Sequence, residues 1–222
     1  LIKTISKDNF ENDNFKFSSA KYISIKGIKV WAQRLSYVGE LGYELYVDLK
    51  DAKKIYELLI EKGKDFNLSN CGMHAMDIMR MESGFLHWGH DISPEENQYQ
   101  AGLAFTISKK KDVNFIGKQA IKKIKQEKIK TRFAMFILKE SEPGKPLLLH
   151  DEPIYIEDKI IGRSTSGNYS FNFKKNLVFG YITNDLSNDE LKSKNLFIEV
   201  EKKKYPISIQ LGALKRTDYK NL

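Results

Sequence analysis

The sequence predicts an α+β chain, in which a mixed region of strands and helices is followed by a small antiparallel β-barrel. Helical spacing of apolar residues is confined to the first 128 positions, and short strands separated by turn residues fill the rest. The 222 residues are 41% hydrophobic, which is enough for a core in each part. We therefore predict two domains, residues 1–127 and 128–222.

The first domain is predicted to begin with a β-hairpin. Residues 21–31, "KYISIKGIKVW", alternate apolar and polar side chains around a Lys-Gly pair, which is typical of a tight turn between two strands. Residues 32–37 and 43–48 predict a second strand pair, joined through a glycine-containing segment.

Three helices are predicted in the same domain. Apolar residues recur at helical spacing over about 51–63, 72–83 and 115–128. Asp51 and Asn70 are residue types that favour the start of a helix; Asp51 begins the first of these segments and Asn70 precedes the second.

The second domain is predicted to be all-β. Its short strands are separated by turn residues, as in "SEPGKP" and "TNDLSNDE", and this spacing favours a small antiparallel barrel. The predicted strands are residues 131–139, 153–157, 160–166, 177–183, 196–200 and 205–211.

Composition excludes several classes of protein. The net charge of +8 comes mostly from scattered lysines, and the sequence contains five arginines. Because nucleic-acid recognition relies largely on arginine, we predict no nucleic-acid partner. A basic surface would nevertheless attract a polyanionic ligand such as a polyglutamate tail. The sequence contains no run of about 18 apolar residues, so it predicts no membrane-spanning helix. The single cysteine, Cys71, excludes an internal disulfide and is interpreted as a buried thiol. We expect a cytoplasmic location.

One carboxylate lies in an unusual place. Glu44 stands between Tyr43 and Leu45 in a strand that we expect to be largely covered, and a buried carboxylate needs donors. Arg80 in a structural ion pair would supply them. A ligand with two adjacent N–H groups, such as a pterin or a guanine, would also supply them, so both interpretations stay open.

The stretch "LHWGHD" contains two histidines three residues apart. On a helix these could share a metal ion, but the glycine between them interrupts a helix. We predict loop histidines and no metal site.

Several motifs resemble the folate-binding aminomethyltransferase family. They are "YVGELGYELY", "MHAMDIMRMESGFLHWGHDISPEENQYQAGL", "NFIGKQAI" and "GRSTSGNYSFNFKKNLVFGYI", in family order over about residues 20–185. The family includes the glycine-cleavage T-protein and the C-terminal regions of dimethylglycine and sarcosine dehydrogenases, and the "WGHD" form is closer to the dehydrogenases. The resemblance implies the second half of the folate-binding α/β region, followed by the family's C-terminal barrel.

The resemblance also implies a cofactor and its contacts. It places Tyr37, Glu44, Arg80 and Trp88 at a tetrahydrofolate site, with Glu44 binding the pterin amine and ring N–H. The family's catalytic aspartate lies upstream of the matching region, so the catalytic residues are unknown. We interpret the chain as a piece of a longer protein and expect it to be inactive alone.

The expected function is transfer of a one-carbon unit to tetrahydrofolate. The donor would be an aminomethyl group or an N-methyl amino acid, and the dehydrogenase branch would add an upstream flavoprotein domain. Two alternatives on the same scaffold are a non-catalytic folate-binding paralogue and a sulfonium-dependent demethylase.

Overall fold

The computed structural model describes residues 1–108, 113–126, 129–183 and 185–214. These residues form two compact units, Leu1–Ser83 and Gly84–Leu214, each described by itself below. The predicted domain boundary at 127/128 falls outside the described residues and stays a prediction.

The first unit combines a three-stranded antiparallel sheet with helices. The strands pair in the order β1-β2-β3. The elements are α1 (Ile2–Ile5), β1 (Ala20–Ile25), β2 (Ile28–Gln33), β3 (Glu44–Tyr46), α2 (Leu49–Gly63) and α3 (Met73–Glu82), with a 3₁₀ turn at Lys64–Phe66.

The predicted hairpin is confirmed. Strands β1 and β2 pair antiparallel, and the turn residues Lys26 and Gly27 both have positive φ, as a tight hairpin turn requires. Of the second predicted strand pair, the strand at 43–48 is present as β3, but the strand at 32–37 is not a separate strand. The partner of β3 is β2, the second strand of the hairpin. Residues 34–43, which include most of the segment predicted as a strand at 32–37, form a loop instead.

The predicted helices of this unit are present, but their starts differ. Helix α2 has Asp48 at its N-cap, and α3 has Gly72 there rather than Asn70. The Asn70 amide donates instead to the Tyr56 hydroxyl at 2.8 Å. The interpretation of Cys71 as a buried thiol is wrong, because this residue is exposed just before α3.

The second unit contains the barrel. Its elements are α4 (Lys118–Gln126), β4 (Thr131–Leu138), β5 (Pro153–Ile156), β6 (Lys159–Ser170), β7 (Lys175–Thr183), α5 (Asn188–Lys192), β8 (Leu196–Val200) and β9 (Lys203–Gln210). The six strands close in the order β4-β7-β6-β5-β8-β9, and all their pairings are antiparallel. The predicted barrel is therefore confirmed.

One helix of this unit was not predicted. The turn-like sequence before β8 contains α5, whose start is stabilised by a capping box in which the Ser187 hydroxyl bonds the Glu190 backbone and the Glu190 carboxylate bonds back. Leu191 of this helix is fully buried in the barrel core. Within the described residues, no helix combines the length and apolar character that crossing a membrane demands.

Candidate functional site

The loop between β2 and β3 carries Tyr37. Gly39 has a φ of +69°, and a side chain at Gly42 would come within 3.1 Å of a backbone carbonyl oxygen, so both glycines allow the chain to bend. The Ser83 hydroxyl donates to the Val38 carbonyl at 3.0 Å. The loop is therefore tied to the C-terminal end of α3, three residues beyond Arg80.

Glu44 lies on the solvent face of the sheet, so the expectation that it is covered is wrong. Side chains alternate along a strand, and Leu45 packs against the core of the first unit while Glu44 and Tyr46 point the other way. The Tyr46 hydroxyl donates to Glu44 Oε2 at 2.8 Å. This bond, together with the negative charge of Glu44, raises the pKa of Tyr46.

Arg80 is fully buried in the last turn of α3 and is paired within its own helix. Its Nε and Nη2 donate to Asp77 Oδ1 at 2.9 and 2.6 Å. Residues three apart share a helix face, which explains this pairing. The ion pair between Arg80 and Glu44, one of the two interpretations left open above, is not formed, and Tyr46 is the described partner of Glu44.

Glu44 therefore presents its carboxylate to solvent beside a tyrosine. A carboxylate with accessible lone pairs can accept two parallel N–H bonds from a planar ligand. Tyr37 is half-buried in the loop that leads to Glu44. The convergence of Tyr37, Glu44 and Arg80 on one pocket stays a prediction.

Trp88 belongs to the second unit and occupies a tight loop. The residue is 64% exposed. The loop is closed by bonds from the Gly89 amide to the Ile92 carbonyl and from the Asp91 amide to the His87 carbonyl, both 2.8 Å. The ring centroids of His87 and His90 are 4.5 Å apart. Among the described residues, no group of three or more His, Cys, Asp or Glu side chains could hold a metal ion.

Asp91 anchors this loop, a role that the sequence analysis did not assign. It is 1% exposed and accepts hydrogen bonds from the His87 amide and from the hydroxyls of Thr165 and Ser166. These hydroxyls follow Asp91 by more than 70 positions. Thr165 and Ser166 could be recognised in the sequence as two adjacent hydroxyl residues within a predicted strand. No local sequence pattern, however, connects them to an aspartate so distant in the chain.

Two neighbouring clefts of about 580 and 380 Å³ lie in the second unit. They share the lining residues Glu95, Glu96, Asp151, Arg163 and Tyr181. The Tyr181 hydroxyl is buried and has no hydrogen-bond partner among the described residues. Burial and the neighbouring carboxylates Glu96 and Asp91 raise the pKa of Tyr181. Arg163 is paired with Asp151, so its charge in the cleft is already compensated.

Two family profiles match the chain. The profile described as "GCVT N-terminal domain" matches residues 1–111, and the one described as "Glycine cleavage T-protein C-terminal barrel domain" matches residues 132–214.

Individual relatives agree with these profiles. Mitochondrial dimethylglycine dehydrogenase of Rattus norvegicus is 32% identical over 94% of this chain and 24% of its own length. An aminomethyltransferase of Halothermothrix orenii is 34% identical over 83% of this chain and 50% of its own length. The chain thus spans half or less of these curated relatives.

The fold has a counterpart among solved structures. The crystal structure of the glycine cleavage system aminomethyltransferase T from Bartonella henselae matches with a TM-score of 0.74 and 21% identity. The match covers 90% of this chain and 52% of that protein.

Proposed function

The chain belongs to the glycine-cleavage T-protein family, and from this membership we propose that it binds tetrahydrofolate as part of a one-carbon transferase. The donor group would be an aminomethyl group or an N-methyl amino acid. Relatives with these chemistries in their names are the aminomethyltransferase and the dimethylglycine dehydrogenase described above.

The observation that carries the proposal is the placement of Glu44. The carboxylate is exposed, and among the described residues it accepts a hydrogen bond from the neighbouring Tyr46 hydroxyl and takes part in no ion pair. One of its oxygens already accepts from tyrosine, and its remaining lone pairs can receive the amine and ring N–H of a pterin. The fold does not need this carboxylate for a core contact, which is the expected property of a ligand-binding group.

Tyr37 and Arg80 have supporting roles in this proposal. Tyr37 would contribute its ring to the pocket wall from the loop tied to α3 by Ser83. Arg80 is buried and bonded to Asp77, so it would shape the wall and contribute positive charge through a preformed pair. The assignment of Trp88 to a folate site rests on the family resemblance and stays a prediction.

The chemistry needs two reactants held in a productive arrangement and a group that manages the proton on the donor amine. We propose that these residues bind folate without turnover and that the catalytic aspartate implied by the family resemblance is supplied by another segment. In a dehydrogenase context a flavoprotein domain would generate the iminium donor.

The cytoplasmic location stays a prediction, and the dimethylglycine dehydrogenase described above is named as mitochondrial. The enzymes among the relatives favour a transferase over the non-catalytic paralogue and the sulfonium-dependent demethylase.

Isothermal titration calorimetry with the 222-residue chain tests the proposal. We expect binding of 5-formyltetrahydrofolate, a reduced folate stable in air, and no comparable binding of p-aminobenzoylglutamate, which lacks the pterin. Equal binding of both ligands would contradict recognition through Glu44, because that carboxylate is proposed to contact the pterin. Absence of binding by either ligand would end the folate proposal for this chain.

A further inference from the structure

The two neighbouring clefts of the second unit are negatively charged, although the chain as a whole has a net charge of +8. With histidine counted as neutral, the side chains that line them carry four negative charges and one positive charge. The positive charge is Arg163, and the negative ones are Asp91, Glu95, Glu96 and Asp151. All the lining residues lie within one unit, and carboxylates gathered in a cleft concentrate their field there.

Glu96 is the carboxylate of this set with a fixed orientation. The amide and the hydroxyl of Ser93 donate to Glu96 Oε2 at 2.8 and 2.7 Å. The other oxygen, Oε1, accepts no hydrogen bond from the described residues, and Glu96 forms no ion pair with them. Glu96 is thus half-buried and held by one oxygen, while the second oxygen keeps lone pairs for a further donor.

Tyr181 of β7 contributes a second unused acceptor. Its hydroxyl is buried, lines both clefts and has no hydrogen-bond partner among the described residues. A buried hydroxyl without a partner is costly, so a ligand that bonds to it is favoured. Burial raises the pKa of Tyr181, and the negative charges of Glu96 and Asp91 raise it further. The same negative charges favour a positively charged donor at the phenol oxygen.

The cation that suits these clefts is organic rather than metallic. Among the described residues, no group of three or more His, Cys, Asp or Glu side chains could hold a metal ion, so the carboxylates do not converge on one point. The larger cleft has a volume of about 580 Å³, which is within the usual range for small-molecule sites, and Pro153 and Ile160 add apolar surface to its lining. An ion with a charged head and an apolar body matches both features.

We propose that these clefts form a site for a small organic ammonium ion, whose N–H groups donate to Glu96 and to the Tyr181 oxygen while its apolar part lies against Pro153 and Ile160. The ligand class is a protonated primary or secondary amine. The site goes beyond the proposed function, because none of its residues is assigned to folate.

Nuclear magnetic resonance of the 222-residue chain, labelled with ¹⁵N, tests the proposal. Benzylamine at pH 7 is the probe, because it joins a protonated amine to a small apolar ring. Benzyl alcohol is the matched neutral probe of nearly the same shape. We expect benzylamine to shift the amide signals of Glu96, Arg163 and Tyr181 in a saturable way, and we expect benzyl alcohol to leave them nearly unchanged.

Two variants locate the amine within the site. Tyr181→Phe should raise the Kd of benzylamine about tenfold, the scale of one hydrogen bond to a charged group. Glu96→Gln keeps the shape and an acceptor oxygen for Ser93 but loses the charge, so it should raise the Kd severalfold. Because the Tyr181 hydroxyl has no partner in the empty protein, its removal should lower the affinity without lowering the stability.

The matched controls are Tyr155→Phe and Glu199→Gln. These residues make the same two chemical changes in the same barrel, and they bond to each other at 2.8 Å without lining either cleft. Both variants should bind benzylamine with the affinity of the wild type. If Tyr181→Phe does not fold, Glu96→Gln with its control decides the matter.

Three results would overturn the proposal. They are the absence of saturable binding, equal binding of benzyl alcohol, and wild-type affinity in Glu96→Gln. Signal changes centred on Glu44 and Tyr46 instead of the clefts would also contradict it, because the amine would then occupy the carboxylate assigned to folate. The titration contains no folate, so a failure of the folate proposal is detected separately and leaves this site standing.

Discussion

Replacement of Glu44 by alanine separates a ligand-binding carboxylate from a structural one. The side chain lies on the solvent face of β3, and its described bond is the one from the Tyr46 hydroxyl at 2.8 Å. An exposed side chain without core contacts changes the free energy of unfolding by about 0.5 kcal/mol or less when it is removed. We therefore expect nearly unchanged stability.

The effect on ligand affinity should be far larger. Two N–H hydrogen bonds to a charged acceptor contribute less binding free energy at a solvent-accessible site than at a buried one. We take their contribution as about 2–4 kcal/mol, which corresponds to an increase in Kd of about 30- to 800-fold. Calorimetry with 5-formyltetrahydrofolate measures this loss, and urea unfolding measures the stability. The control is Glu40→Ala, which removes an exposed carboxylate from the preceding loop. It should leave the affinity close to that of the wild type.

The same variant has a signature in pH titration. Because the Glu44 carboxylate accepts the Tyr46 hydroxyl, it raises the pKa of Tyr46. The bond therefore stabilises the fold below the ordinary tyrosine pKa of about 10 and is lost as pH rises through the raised value. In Glu44→Ala the ultraviolet titration of Tyr46 should move to lower pH. A large loss of stability at neutral pH together with unchanged folate affinity would refute the assignment of Glu44 to the ligand.

Three further predictions concern the fold. Asp77→Ala should lower the free energy of unfolding by about 1.5–3 kcal/mol in urea titrations, because the buried Arg80 guanidinium loses two hydrogen bonds to a charged acceptor. Tyr181→Phe should leave thermal stability unchanged or raise it, because the hydroxyl is buried without a partner, whereas Tyr155→Phe should lower it by losing a bond to a glutamate. Limited proteolysis should cleave first within residues 122–132, where the sequence changes from helical to strand pattern.

These three predictions have separate controls. Glu57→Ala breaks an exposed i,i+4 pair with Lys53 and should cost less than about 0.5 kcal/mol, so an equal loss in Asp77→Ala would contradict the argument from burial. A clear destabilisation by Tyr181→Phe would indicate that its hydroxyl is satisfied by water. Cleavage first at residues 9–17 would remove the support for a boundary near 127/128.

Sequence pattern was a reliable guide to the barrel and a weaker one to the connections. Turn residues bracket each barrel strand, and alternating apolar residues reach into a single core. Five of the six strands therefore lie within about two residues of their predicted bounds. The exception is β6, which continues to Ser170. The segment at 32–37 was misassigned because its alternation continues past the end of β2. The backbone there instead bends through Gly39 at positive φ, and Glu40 donates its amide to the Ser36 hydroxyl.

For the candidate site, the sequence likewise predicted the residue but not its surroundings. The motif around Glu44 identified the carboxylate and, by resemblance, its family, but the covered environment expected for it was wrong. Period-two alternation places Glu44 on the face opposite Leu45, and only the packing of α2 and the sheet decides which of the two faces is buried.

The sequence by itself determined the family, the hairpin, the barrel and the residue types available to a folate ligand, because these depend on local periodicity and on motifs read along the chain. Tertiary structure alone decided that Arg80 pairs with Asp77 and not with Glu44, and that Asp91 binds hydroxyls on a bulged strand more than 70 residues away. Which donor satisfies a buried charge depends on distances in the folded chain, and sequence separation carries no information about those distances.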